Sequence, residues 1–229
     1  MAVLDPDLLL RAYAIGVFPM ADSRDAKEVF WVEPKRRAII PLDGFHLSRS
    51  LRKTIRSGRF TVTRDTAFAD VVTLCAERDE TWINSSIQES FAELHRLGHA
   101  HSIECREGDE LVGGLYGVKL GGAFFGESMF SLRTDASKVA LAWLVARLNV
   151  GGYRLLDCQF MTEHLRSLGA VEILQKTYVS MLSDALSSAG AGAGPEFGAL
   201  ERLLGAESSR TVDAAASGCV IAQLLGHTS

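Results

Sequence analysis

The sequence predicts an α+β domain in which one long helix packs on a largely antiparallel sheet. Three observations carry this. Between His101 and Ser131 the chain reads as three strands, with Gly108-Asp109 and Gly121-Gly122 at the turns. The segment DASKVALAWLVARLNVGG then reads as a strongly amphipathic helix that begins at Asp135 and is closed by Gly151. YRLLDCQF follows as a buried strand, TEHLRSLGA as a short helix, and VEILQKTYVSML as a strand that turns helical. Consecutive strands followed by helix, strand, helix and strand are the α+β pattern.

The elements ahead of that domain are read in order. Asp5-Pro6 has the form of an N-cap with proline at the first helical position, Leu8 to Ile15 supplies the helix body, and Gly16 breaks it. EVFWV and RAIIPL form short strands around the Glu33-Pro34 turn. HLSRSLRKTIRSGRF spaces Leu47, Leu51 and Ile55 as one helix face, with arginines opposite and Gly58 as the stop. FTVT is a strand, and Asp65 through about Ala76 a helix. Asn84 or Ser85 caps a further helix carrying Ile87, Phe91 and Leu94, ended by Gly98. After Leu186, SSAGAGAGPEFGA is small and glycine-rich and reads as a linker. The closing VIAQLLGHTS suggests one or two helical turns without chemistry of their own.

At 229 residues, 23% charged and 47% hydrophobic, the chain is an ordinary globular protein. No apolar run approaches the ~20 residues of a membrane span, and the N-terminus lacks a basic leader and a small-residue cleavage site. Cys75, Cys105, Cys158 and Cys219 are far apart, which fits neither a zinc knuckle nor a disulfide framework, so a cytoplasmic protein is expected. The net charge is −4, yet Lys35 to Arg59 holds eight cations against Asp43 alone. That strip is a phosphate-attracting surface or a solvated helix face.

Two acids stand at equivalent places on neighbouring strands, Glu127 in FFGESMF and Asp157 in LLDCQF. Gln159 lies two residues past Asp157, so alternation aims both at one face. The structural alternatives are Asp157 as a cap near Thr162 and Glu127 paired with Arg133. Two acids and an amide converging among apolar residues suggest a polar site in a greasy pocket. Gly126-Glu127-Ser128 lacks the second glycine of a nucleophile elbow. His99, His101 and Cys105 form no complete metal set, and a strand-edge role suits them. Cys158 alternates away from Asp157 as a small core residue, and Trp82 is read as core. The strand–strand–strand–helix–strand order resembles the acyltransferase fold that binds acetyl-CoA. However, SLRTDASKVA has no glycine where pyrophosphate would meet the long helix, and Asp135 would repel it.

GGLYGVKLGGAFFGESMFSLRTDASKVALAWLV and LLDCQFMTEHLRSLGAVEI, with AYAIGVFPM, RAIIPLDGFHLSRSLRK and DETWINSSIQESFAELHRLGHAHSIE, resemble the leucyl/phenylalanyl-tRNA–protein transferase family over roughly residues 7 to 182. The resemblance implies a small N-terminal domain (1–36), a GNAT-like catalytic domain with a mixed sheet flanked by helices (37–184), and a flexible linker and tail (185–229). It implies transfer of leucine or phenylalanine, methionine less well, from aminoacyl-tRNA to proteins with N-terminal arginine or lysine, marking them for degradation by the bacterial N-degron pathway. No metal or cofactor is implied, and a monomer is expected. Glu127, Asp157 and Gln159 match the family's catalytic residues. Trp82, Leu115, Phe125, Met129 and Leu156 match its aminoacyl pocket. Many members have F-P-W where this chain has Phe18-Pro19-Met20, which puts Met20 at a pocket position. Arg36, Arg37, Arg49, Arg52, Lys53 and Arg56 are the expected tRNA contacts.

Overall fold

A computed structural model describes residues 3–78, 80–187, 194–205 and 214–227. Helix α1 (Pro6–Ala14) begins where the Asp5 carboxylate accepts the Leu8 N–H, and it buries Leu9, Ala12 and Tyr13. A two-stranded ribbon follows, β1 (Phe18–Met20) antiparallel to β2 (Phe30–Val32); its first strand was not expected. Next come β3 (Arg36–Ile40), α2 (Arg49–Arg56), β4 (Thr61–Arg64), α3 (Phe68–Ala76) and α4 (Ser85–Arg96). Helix α3 starts three residues later than expected. Asp65 takes a left-handed φ of 59° and turns its carboxylate to the Ser102 N–H and the His101 ring.

The strands β5 (Ala100–Glu107), β6 (Glu110–Leu120) and β7 (Ala123–Ser131) lead into α5 (Ala136–Val150), β8 (Leu155–Gln159), α6 (Glu163–Ser167), β9 (Val171–Leu174) and α7 (Gln175–Ser187). The seven-stranded sheet has the order β4-β5-β6-β7-β8-β3-β9, so β5 is an interior strand and not an edge. Every neighbouring pair is antiparallel except β7 with β8. One sheet face carries α5 on Leu115, Phe124 and Leu156. The other carries α1, α3, α4 and α7 on Tyr116, Phe125 and Leu155. The fold class is as expected: α+β, a small N-terminal unit and a mixed sheet flanked by helices.

Two expectations fail for a common reason. Helix α5 is not amphipathic; Ala136, Ser137 and Val139 through Leu148 are all buried. The segment expected to be a flexible tail covers its outer side. Helices α8 (Ala199–Leu203) and α9 (Ala214–Leu224) pack there, and Phe197, Leu200, Ile221, Ala222 and Leu225 join the same core cluster as α5. On that covered side Arg147 pairs with Glu201 at 2.6 Å and donates to the Phe197 carbonyl at 2.7 Å. Residues 188–193 of the expected linker lie outside the described residues. Asp135 also makes no N-cap bond; it has a φ of 69° and faces Lys138 and Thr54.

The site is set by how β7 and β8 part. They pair only over Ala123–Phe125 and Leu155–Asp157. Beyond this, β7 stays with β6 and β8 with β3. Each strand has one unmatched residue at the fork. Gly117 pairs with Gly126 and Tyr116 with Ser128, which leaves Glu127 extra. Ile39 pairs with Asp157 and Ala38 with Gln159, which leaves Cys158 extra. Such bulges bend a strand and re-aim its side chains. Gly117 is required opposite the first, because a Cβ there would collide with the Phe125 carbonyl and the Phe124 ring.

Candidate active site

A cavity of about 930 Å3 opens at this fork. Its walls are largely apolar, with Leu74, Trp82, Leu115, Met129, Leu141 and Leu156 among the lining residues. Glu127 and Gln159 enter it from the two parting strands, each 6% exposed. They touch: Gln159 Nε2 donates to Glu127 Oε1 at 2.8 Å. The same oxygen accepts from the Tyr13 hydroxyl at 2.9 Å, while Glu127 Oε2 is buried without a hydrogen-bond partner among the described residues. Burial pushes the Glu127 carboxyl up to about 8, against the lowering effect of the Tyr13 hydrogen bond and with a smaller raise from Asp157.

Asp157 lies behind this wall. It is fully buried and does not line the cavity. The Arg37 Nε donates to both its oxygens at 2.9 and 3.0 Å, and Arg37 Nη2 reaches Oδ2 at 2.5 Å. The Tyr178 hydroxyl adds a bond at 2.8 Å. The guanidinium lies between the Phe18 and Tyr178 rings, with its carbon 4.6 and 4.5 Å from their centroids, and Nη1 donates to the Gly16 carbonyl. Asp157 Oδ1 also accepts the Gln159 N–H at 2.8 Å. That bond holds Gln159 at a left-handed φ of 62°, a conformation a β-carbon disfavours. The turn defeats plain alternation: Asp157 and Gln159 do not share an outlook, and the amide swings across the fork to Glu127.

The structural alternatives do not hold. Thr162 caps α6 with its own hydroxyl, and Arg133 pairs with Glu110 and Glu107. Of the expected pocket residues, Trp82, Leu115, Met129 and Leu156 line the cavity. Phe125 does not: the bulge at Glu127 reverses the faces, so Met129 packs on the α5 side and Phe125 on the other, its ring 4.8 Å from that of Tyr13. Met20 is also outside the lining and packs with the second core cluster. Cys158 both packs on the first cluster and lines the cavity.

Among the expected RNA contacts, Arg37 is corrected: at 1% exposure and fully engaged with Asp157, it has no access to a phosphate. Arg36 is exposed beside Glu172. Arg49, Arg52, Lys53 and Arg56 line one groove. Reading by charge alone missed Arg37's role, and period two could not find it, since it puts Arg36 with the buried Ile40 as readily as Arg37 with the buried Ile39. Tyr13 was missed too; its i, i+4 relation to Leu9 marks it as buried, and a buried phenol needs an acceptor. Tyr178 closes the other side of Asp157 and carries no signal in its local sequence.

Known proteins resemble this chain in sequence over its whole length. A family model described as leucyl/phenylalanyl-tRNA protein transferase matches residues 39–183, and one for the N-terminal domain of that family matches residues 2–35. A leucyl/phenylalanyl-tRNA–protein transferase of Rhizorhabdus wittichii is 60% identical over all of both chains. Its namesake in Cereibacter sphaeroides is 62% identical over 80% of this chain and 86% of that protein. The crystal structure of FemX is a weaker likeness, with a TM-score of 0.47 at 12% identity over 77% of this chain and 71% of that one. By sequence over its full length, the chain belongs to the leucyl/phenylalanyl-tRNA–protein transferase family.

Proposed function

We propose that this enzyme moves leucine or phenylalanine, and methionine less well, from aminoacyl-tRNA onto the N-terminal arginine or lysine of acceptor proteins. It does so as a cytoplasmic monomer feeding the bacterial N-degron pathway. The observation that carries the reading is Glu127 Oε2, a buried acceptor with no hydrogen-bond partner among the described residues, on the wall of a largely apolar cavity. An acceptor terminus is a cation, with an α-amino pKa of about 7.7–8. The Glu127 carboxyl, raised to about 8, is matched to that amine, so its ionised form takes the proton with little free-energy cost.

The freed amine attacks the ester carbonyl of the donor. A C–N bond forms, the C–O bond to the ribose breaks, and the departing oxygen takes the amine's second proton. Gln159 commits its NH2 to Glu127, which leaves its carbonyl oxygen to hold the amine. Asp157, expected among the catalytic residues, acts from behind the wall as a positioning residue, through the Gln159 N–H. The chemistry is downhill from ester to amide, and placement of the two reactants supplies much of the rate.

Acceptor choice follows from charge. Of the two buried acids at the fork, Asp157 is already neutralised by Arg37, so Glu127 in its ionised form is the one that meets a guanidinium or ammonium group. Donor choice is apolar fit along Trp82, Leu115, Met129 and Leu156, where one methylene is worth about 1–3 kcal/mol. That accommodates leucine, phenylalanine and methionine together. Arg36, Arg49, Arg52, Lys53 and Arg56 are assigned to the phosphates of the acceptor arm. The test is transfer of labelled leucine from Leu-tRNA to a peptide beginning with arginine, beside one beginning with alanine. Labelling of the first alone is expected; equal labelling, or none, overturns the reading.

A further inference from the structure

Beyond the residues covered by either family model, the chain builds a second wall for the cationic groove. Helix α9 runs antiparallel to α2. Ala215 lies against Gly58, Gly218 against the Ile55 carbonyl, and the Ala222 carbonyl receives Arg52 Nη1 at 3.4 Å. The approach is closest at Gly218, where a Cβ would collide with that carbonyl. Between the helices is a groove of about 580 Å3 lined by Arg49, Arg52, Lys53, Arg56, Ser57 and Cys219, with no acidic residue among the described residues of its lining.

An eight-residue helix bearing four cations neither forms nor holds an orientation by itself. Leu51 and Ile55 bury its inner side, and α9 grips its flank. Arg52, tethered near the α9 C-terminus where the helix dipole is negative, serves as the link between the two helices. Arg49, Lys53 and Arg56 remain along the groove.

We infer that α9 forms, with α2, a two-walled groove for the RNA backbone, so that Cys219 lies at the RNA interface. This rests on the aminoacyl-tRNA reading above. Phosphates seated between the helices are drawn by α2 and confined by α9, which limits the directions the acceptor arm can take into the cavity.

Cys219 is itself the reporter, because it is exposed while Cys75 and Cys105 are buried. Alkylation of the intact protein by a bulky maleimide, located by peptide mass spectrometry, is followed with and without deacylated tRNA-Phe. Binding is measured in parallel by mobility shift. Expected is at least roughly fivefold slower alkylation of Cys219 once the complex has formed, with the protection lost as salt weakens binding. Unaltered alkylation in the formed complex overturns the inference. Cys219→Glu adds a charge to an exposed position; it should weaken tRNA binding by roughly three- to tenfold and leave the KM for acceptor peptide unchanged. Unchanged tRNA affinity also overturns it. Protection without leucine transfer would leave the groove standing and remove the proposed function; transfer without protection would do the reverse.

Discussion

Arg37 and Asp157 form a salt bridge of 2.5 Å in which the two side chains are 1% and 0% exposed. The pair joins β3 to β8 directly behind Gln159, with aromatic rings on both sides of the guanidinium. Breaking a buried pair from one side strands a charge and costs about 3–5 kcal/mol, whereas replacing both partners can be nearly neutral. Arg37→Met should therefore lower stability by about 3–5 kcal/mol, read as a shift of the urea midpoint. Arg37→Met with Asp157→Leu should recover part of that loss and remain inactive, because the Gln159 N–H has lost its acceptor. A double variant no more stable than Arg37→Met would show that the pair is not the origin of the loss.

Gln159 separates geometry from chemistry. Its φ of 62° suits glycine and costs a residue with a Cβ about 1–2 kcal/mol. Gln159→Gly should consequently be more stable than Gln159→Ala, by about 1 kcal/mol, although both lose the amide and with it transfer. Chemical denaturation ranks the two variants. The opposite order would mean that the left-handed turn does not persist in solution.

Glu127 makes stability depend on pH. Its carboxyl titrates near 8 in the fold and near the ordinary 4.5 when unfolded, so between those values the folded state holds the extra proton. Stability falls as pH rises through that window. Glu127→Gln keeps an acceptor for Tyr13 and Gln159 but does not titrate. Relative to the parent it should gain stability with rising pH, by about 1.4 kcal/mol per unit of the shift realised, and level off above pH 8. The two melting curves should draw together toward pH 4.5. A difference that does not vary with pH would remove burial as the cause of the raised carboxyl.

Most of the fold was legible because its signals are local. Caps at Asp5 and Asn84, the turns at Gly108 and Gly121, and the apolar spacing of α4 depend on neighbours a few residues away. The site was legible in part. Glu127 and Gln159 do meet, but alternation was extended from Asp157 to Gln159 across a bulge and a left-handed residue, and it misplaced Asp157; Phe125, placed in the pocket by the family resemblance, lies on the other face. A bulge shifts the alternation by one residue, but both faces of this sheet are buried, so apolar residues stand on either side and the change of phase does not show in the sequence. Arg37 was misassigned for a different reason: its partner is 120 residues away, and charge counted along the chain cannot tell a buried cation from a solvated one.

The C-terminal segment gives the last test. The expectation of a flexible linker weighed glycine and alanine content above Phe197, which is 3% exposed and stacks on Phe124 with a centroid distance of 5.4 Å. Arg147 lies over the same ring and binds Glu201. Phe197→Ala should cost about 3–5 kcal/mol, as for other buried aromatic truncations, where a linker residue would cost almost nothing. Glu201→Ala leaves Arg147 buried without its partner and should be destabilising too. Because both changes release one segment, their combined cost should be smaller than the sum, and a double-mutant cycle by denaturation measures the shortfall. Additive losses would mean that the ring and the ion pair secure the chain independently, and a neutral Phe197→Ala would mean that the segment is not docked on α5 in solution.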